Sequence, residues 1–348
     1  METIASGSVR PRAYLYENRW WKLAFNAVWA VLMAVVVVVL LLLGAALFSR
    51  TFLAAPNLTQ LTWQWLVRAM LIPPVVLIIA SGGVDLSIGA LIGLTTVLMA
   101  SLSPSIGVIG AVVAALVVMF IIGLVNAVVA GGTRIHGAIV TLGAATFARG
   151  LALALSAGKV TAVGPVGPLA SLALPWAALV MSLVLGVICA LLIGRRRRAE
   201  PGQEPPSSWL GRLLSTGFPY LFSAVMAGVA GVIVGARLRV GTVSAGSGFE
   251  VDVLLIALLG GTALGGAALS RLPVSNSLVN MFGALVAALA LVLVQNMQAL
   301  AGGQASGAQD LGRGVVLLVV ALVSYFYILL VGRLRSPASP PAEAQKPK

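Results

Sequence analysis

Residues 27–48 read AVWAVLMAVVVVVLLLLGAALF, twenty-two residues without a charge. At about 1.5 Å of rise per residue, a helix of that length crosses the ~30 Å hydrocarbon core of a bilayer. A cleavable leader has an apolar core of only about 7–15 residues, so this stretch reads as an uncleaved first span. Its basic flank is Arg10, Arg12, Arg19 and Lys22. The rest of the chain has the same character. Of 348 residues, 60% are hydrophobic and 9% charged, against roughly 25% charged in a soluble domain. Soluble domains of this composition could not cover their surfaces, and the chain is too apolar for disorder. Membrane β-barrels alternate polarity along strands of ~10 residues, whereas these apolar runs are continuous. The expected fold class is therefore an all-α polytopic membrane protein.

Working outward from 27–48, nine further spans are expected, at about 61–80, 86–101, 105–130, 138–157, 172–193, 217–239, 250–269, 277–299 and 312–332. The breaks carry turn residues: Ser81-Gly82-Gly83, Ser103-Pro104-Ser105, Gly131-Gly132, Gly246-Ser247-Gly248 and Gly302-Gly303 among them. About ten spans place both termini on one side, in two five-span halves. With the N-terminus inside, the inner segments hold Arg10, Arg12, Arg19, Lys22, Arg134, Arg195 to Arg198, Arg212, Arg271, Arg333, Arg335, Lys346 and Lys348. The outer segments hold Arg50, Lys159, Arg237, Arg239 and Arg313. That asymmetry predicts cytoplasmic termini in a cell membrane. It also gives a cytoplasmic tail over 1–22, a membrane domain over 23–335 with a basic, Pro-rich inner loop at about 194–216, and a second tail over 336–348. The formal net charge of +13 reads as this topology signal and contact with lipid, with no nucleic-acid partner.

The short spans carry the functional reading. Segment 86–101 makes only ~24 Å of helix, and 61–80 contains Arg68 and Pro73-Pro74. Between them lies Ser81-Gly82-Gly83-Val84-Asp85-Leu86-Ser87, read as a broken hairpin with its turn inside the membrane or near its inner face. Irregular backbone at that depth requires burial in protein or a watery cavity, and interrupted helices point to a translocation site. The expected route or gate comprises Gly82, Gly83, Asp85, Ser87, Arg149, Glu250 and Asp252. Each also has a structural reading. Asp85 is expected to cap the helix at 86–101. Arg149 is expected to pair with Asp85 or another acid of the bundle. Glu250 and Asp252 suit a helix N-terminus. Asp310 is a further acid at a membrane edge. Gly89 with Gly93, Gly231 with Gly235 and Gly261 with Gly265 form seams for close helix packing.

Single residues Cys189 and His136 exclude an intrachain disulfide and a His cluster, so no metal is expected. The chain has no G-x-x-x-x-G-K-[ST] loop and no H-E-x-x-H, so it reads as no enzyme and binds no nucleotide of its own.

Gly82-Gly83-Val84-Asp85-Leu86-Ser87-Ile88-Gly89 resembles the "GG-[IV]-DLS-[VI]-G" segment of sugar-type ABC permeases, the membrane subunits of ribose, xylose, arabinose and autoinducer-2 importers. Arg134-Ile135, Thr141-Leu142-Gly143 and Ala148-Arg149-Gly150 are similar to a second segment of that family. Gly246 to Asp252, followed by Gly260-Gly261-Thr262, are similar to a third. Order and spacing agree over roughly residues 50–330. The resemblance implies a permease dimer, a separate cytoplasmic ATPase subunit that binds the ATP, and an extracytoplasmic solute-binding protein. The solute would be a monosaccharide or similar polyol, moved by alternating access. The family's "GGN-x-x-AA-x-x-SGI" coupling segment is not matched in the 194–216 loop, where Trp209, Arg212 and Leu213 form the expected substitute. His136 stands where the family has Pro. An ion-coupled carrier, or a permease-like scaffold that has lost its ATPase, are the alternatives.

Overall fold

A computed structural model of the chain describes residues 19–133, 135–199, 208–262, 274–302, 307, 311–315, 318 and 322. The expectations for residues 1–18 of the first tail, the second tail, Arg134, Arg271, Gly265, Asp310, the middle of the basic loop and most of the span at 312–332 lie outside the described residues. The helices are α1 Arg19–Phe52, α2 Ala55–Ala69, α3 Ile72–Ala80, α4 Ile88–Gly132, α5 Gly137–Ser156, α6 Ala173–Ala199, α7 Trp209–Arg212, α8 Phe218–Leu238, α9 Phe249–Leu259 and α10 Val274–Leu300. Two short strands, β1 Thr161–Ala162 and β2 Val240–Gly241, pair antiparallel and join the loops after α5 and α8.

Among the described residues, seven helical stretches are long and apolar enough to cross a bilayer, fewer than the ten spans expected. Part of the difference is a kink. At 45 residues, α4 would extend about 68 Å if straight, more than twice the hydrocarbon thickness. It turns instead at Gly107 (φ 71°, ψ 164°), a conformation that needs a residue without Cβ. Its two arms are the spans expected at 86–101 and 105–130. The expected break at Ser103-Pro104-Ser105 is helical, because the turn chemistry of Gly107 takes over one turn later. Gly131-Gly132 also remain in the helix. The span expected at 250–269 is broken in its described part, and 263–269 lie outside the described residues. Helix α9 stops at Leu259, Gly260 follows as its C-cap, and Gly261 has φ 92°.

α4 packs along α8 through glycines. A Cβ on Gly131 would lie 2.5 Å from the Gly217 Cα, and one on Gly231 would lie 2.5 Å from the Thr95 Cβ. Without a hydrophobic drive between helices in lipid, such close backbone contact is what holds a bundle together. The buried core draws on α2, α3, α4, α5, α6, α8, α9 and α10. α1 lies outside this core, packing Val37 and Phe52 with Val292 and Leu293 of α10. Its remaining faces expose Val31, Leu42 and Leu47, as suits a helix whose solvent is hydrocarbon.

Candidate functional site

Two interrupted segments meet beside the first arm of α4. The first is the stretch between α3 and α4. Asp85 is 1% exposed there, and its Oδ1 accepts from Ser87 N at 2.8 Å and Ser87 Oγ at 2.7 Å. The capping expectation is corrected: Ser87 occupies the N-cap position of α4, with no side-chain cap. Asp85 lies two residues upstream, where its carboxylate folds back on Ser87 instead of reaching the first turn of the helix. Its Oδ2 has no hydrogen-bond partner, and the buried Ser223 Oγ of α8 faces it without closing a bond. Leu86 N donates to Thr141 Oγ1 of α5 at 3.1 Å. The Tyr220 phenol of α8 fills the space that a Cβ on Gly83 or Gly137 would need, which explains the glycine at 83. Gly82 has φ 87°, a turn position that an L side chain rarely adopts.

The second segment runs from β2 to the start of α9, alongside α4. Thr242 N donates to Thr96 Oγ1, and Thr96 Oγ1 donates to Thr242 O. Farther along, a Cβ on Gly93 would meet the Val243 carbonyl, and one on Gly89 would meet both the Gly246 carbonyl and Glu250 Oε2. The Gly89 and Gly93 seam is therefore a bed for irregular backbone. Gly246 and Glu250 consequently sit a few residues from Asp85 and Ser87 along α4. The sequence placed these two broken segments in different halves, and the structure brings them together.

Arg149 of α5 donates through Nη2 to Glu250 Oε1 at 2.8 Å. It pairs with that acid of the bundle, not with Asp85, because Glu250 is delivered by the second segment. The Arg149 side chain remains 51% exposed, against 16% for Glu250, and Glu250 Oε2 is buried without a partner.

Glu250 and Asp252 both stand in the first turn of α9, as expected. Asp252, however, has a stronger role than favouring a helix end. It is fully buried, with Arg68 of α2 at 2.8 Å and Arg313 at 2.7 Å. Gln295 of α10 donates to both its oxygens and accepts from Arg68 Nη2 at 2.9 Å. Arg68 also stacks over Phe249, 4.9 Å from the ring centre. Sequence reading missed Gln295 and Arg313 as members of this cluster. The signal available was the presence of Arg68 in an apolar span, which demands a buried acid.

A cavity of 290 Å³ opens beside the cluster between α2, α8, α9 and α10. Trp63, Arg68, Arg237, Phe249 and Gln295 are among its lining residues. Among the described residues, no three of His, Cys, Asp and Glu come together as metal ligands.

At the opposite end of α8, Trp209 begins α7, with Ser208 as N-cap accepting from Gly211 N. A four-residue helix, Trp209–Arg212, stands in the stretch where the coupling substitute was expected, and a π turn over Leu213–Gly217 joins it to α8. The indole lies against Gly132 at the end of α4, where a Cβ would come 2.8 Å from Nε1.

No family model matches the chain, and no solved structure matches it significantly. Curated relatives do. The ribose import permease protein RbsC of Escherichia coli (strain K12) is 27% identical over 324 residues, covering 88% of this chain and 95% of that protein. The L-arabinose transport system permease protein AraH of the same organism is 25% identical, covering 70% of this chain and 78% of that protein. The D-allose transport system permease protein AlsC, also from that organism, is 28% identical, covering 62% of this chain and 70% of that protein. The likeness first read from three short motifs thus extends along most of the chain: it is similar to the membrane permeases of sugar ABC importers.

Proposed function

We propose that this chain is the membrane-spanning permease subunit of an ATP-driven ABC importer for a monosaccharide or similar small polyol, working by alternating access. The observation that carries this reading is the packing of the 242–249 segment on α4 at Gly89, two residues past the 81–87 break, in a chain similar to ribose, arabinose and allose permeases. Interrupted helices that face each other offer polar groups at membrane depth without exposing backbone to lipid. Asp85, Ser87, Arg149 and Glu250 line or gate that route, with Gly82 and Gly83 shaping the turn and Asp252 bracing it. A cytoplasmic ATPase subunit supplies the energy, and an extracytoplasmic binding protein delivers the solute. A second permease subunit covers α5. Gly143, Thr146, Arg149 and Gly150 are exposed along that helix, and a guanidinium at membrane depth needs protein or water around it.

The test is co-purification of an ATPase subunit, followed by uptake of labelled ribose, arabinose and allose into proteoliposomes holding the complete assembly. Uptake that ignores ATP and collapses with an ionophore would transfer the chain to the ion-coupled carriers.

Three results are expected within this reading. Asp85→Asn keeps the Oδ1 bonds to Ser87, so folded yield is retained while uptake falls more than about ten-fold. Unchanged uptake would remove Asp85 from the route. In a Cys189→Ala background, an impermeant thiol reagent applied outside intact cells labels Ala162→Cys and spares Ser208→Cys. The reverse pattern would invert the orientation. Trp209→Ala weakens ATPase co-purification more than Arg196→Ala and Arg197→Ala combined, since buried aromatic anchors dominate interfaces and Trp209 is about half exposed for a partner to cover. Loss of the ATPase only in the arginine double variant would assign coupling to the basic run.

A further inference from the structure

We propose that the cavity between α2, α8, α9 and α10 binds a small anionic polyol, a monosaccharide carrying a carboxylate. This rests on the transport reading above and narrows its solute class. The size suits one sugar: at 290 Å³ the cavity stands near the lower bound of about 300 Å³ for small-molecule sites.

The argument is a count of open donors against open acceptors. A neutral sugar presents hydroxyls that donate as well as accept, so its site needs acceptors. Here the acceptors are the three glutamine amides of Gln60, Gln64 and Gln295, and two of their oxygens already hold an arginine N–H. Gln60 Oε1 accepts from Arg237 Nη2 at 3.2 Å, and Gln295 Oε1 accepts from Arg68 Nη2 at 2.9 Å. Among the described residues, no carboxylate lines the cavity. Asp252 lies behind its wall, fully buried and held by two guanidiniums and the Gln295 amide. Open donor capacity is larger. Arg237 makes no salt bridge among the described residues, and its Nε and Nη1 have no acceptor there. Arg68 Nη1 donates one bond, to the Gln64 carbonyl, and a guanidinium terminal nitrogen has two hydrogens.

Charge points the same way. Arg68 and Arg237 both line the cavity, with no carboxylate among its described lining residues. The planar guanidinium of Arg237 is held over Trp63 at 4.9 Å from the ring centre. That stacking fixes the fork and leaves its edge available. A planar carboxylate is the partner that such a fork accepts bidentately. Trp63 and Phe249 supply apolar faces for the carbon skeleton.

The experiment is saturation-transfer NMR titration of the full chain in phosphatidylcholine nanodiscs, with D-gluconate as probe and D-glucose as its neutral counterpart. Gluconate is expected to bind about ten-fold more tightly or better, the discrimination of one charge-assisted bond. Arg237→Gln is expected to erase that preference and Arg237→Lys to retain part of it. The melting temperature of both variants serves as the fold control, since Arg237 is exposed. Equal affinity for the two probes overturns the proposal, as does gluconate binding that survives Arg237→Gln, or no binding of either probe. Loss of gluconate binding in phosphatidylglycerol nanodiscs would assign the cavity to a lipid headgroup and overturn it as well. An assembled transporter that imports neutral sugars with no response to gluconate would leave the importer reading intact and reject this one. Failure of any ATPase to co-purify would reject the importer reading and leave the measured gluconate preference standing.

Discussion

Asp252→Ala is expected to destabilise the folded protein by about 3–5 kcal/mol, the largest effect of any single substitution considered. The carboxylate is fully buried and is the acid between Arg68 and Arg313. Removing it leaves the buried Arg68 guanidinium without its acid, with Gln295 unable to supply the missing charge. A loss of that size takes a large share of a typical stability of about 5–15 kcal/mol. It should be visible as lost monodisperse protein and a lowered unfolding midpoint in detergent. Glu250→Gln is the internal contrast. Its partner Arg149 is half exposed, so the cost should stay within about 0–1 kcal/mol. Because the penalty comes from stranded charge, the triple change Asp252→Leu, Arg68→Met and Arg313→Met should recover much of the stability lost by Asp252→Ala alone. Wild-type unfolding of Asp252→Ala would show that the cluster does not hold the bundle.

Gly89→Ala carries the second large effect. Its Cβ would overlap the Gly246 carbonyl and the Glu250 carboxylate. The side chain can swing away, whereas the carbonyl belongs to a backbone stretch already fixed on α4 through Thr96 and Thr242. Overpacking of this kind costs about 1–3 kcal/mol, and Gly89→Val should exceed Gly89→Ala. Gly143→Ala and Gly150→Ala reverse the sign for the isolated chain. No atom lies within 4 Å of a Cβ at either position, so each should gain up to about 1 kcal/mol of helix propensity. Equal unfolding midpoints for Gly89→Ala and Gly143→Ala would refute the packed contact between α4 and the 242–249 segment.

The membrane character and most helices were legible because apolar runs and basic flanks are local properties. Boundaries were less so. Ser103-Pro104-Ser105 carried every sign of a break, yet Gly107 took the turn, since a single positive-φ residue relieves the whole length mismatch of α4. The candidate site was legible in its parts: Asp85, Arg149, Glu250 and Asp252 are all acids or bases in apolar surroundings. Their pairings were not. Arg149 and Glu250 are 101 positions apart, and Arg68 and Asp252 are 184 apart, distances at which one sequence holds no register. Gln295 was invisible because an amide in a helix signals nothing until a charge is placed beside it.

The helix that starts at Trp209 ends one functional region and enters another. Its first residue rests on Gly132, and Tyr220, farther along, wedges between Gly83 and Gly137. Between them lies the π turn over Leu213–Gly217, a loosely wound stretch in an otherwise stiff rod. The element therefore has the form of a lever with a soft joint near its handle. A push on the indole reaches the turn before α4 through one piece of chain. Under the importer reading, the compliance of those five residues would set how far the turn moves. Tuning the joint would alter stroke without touching affinity.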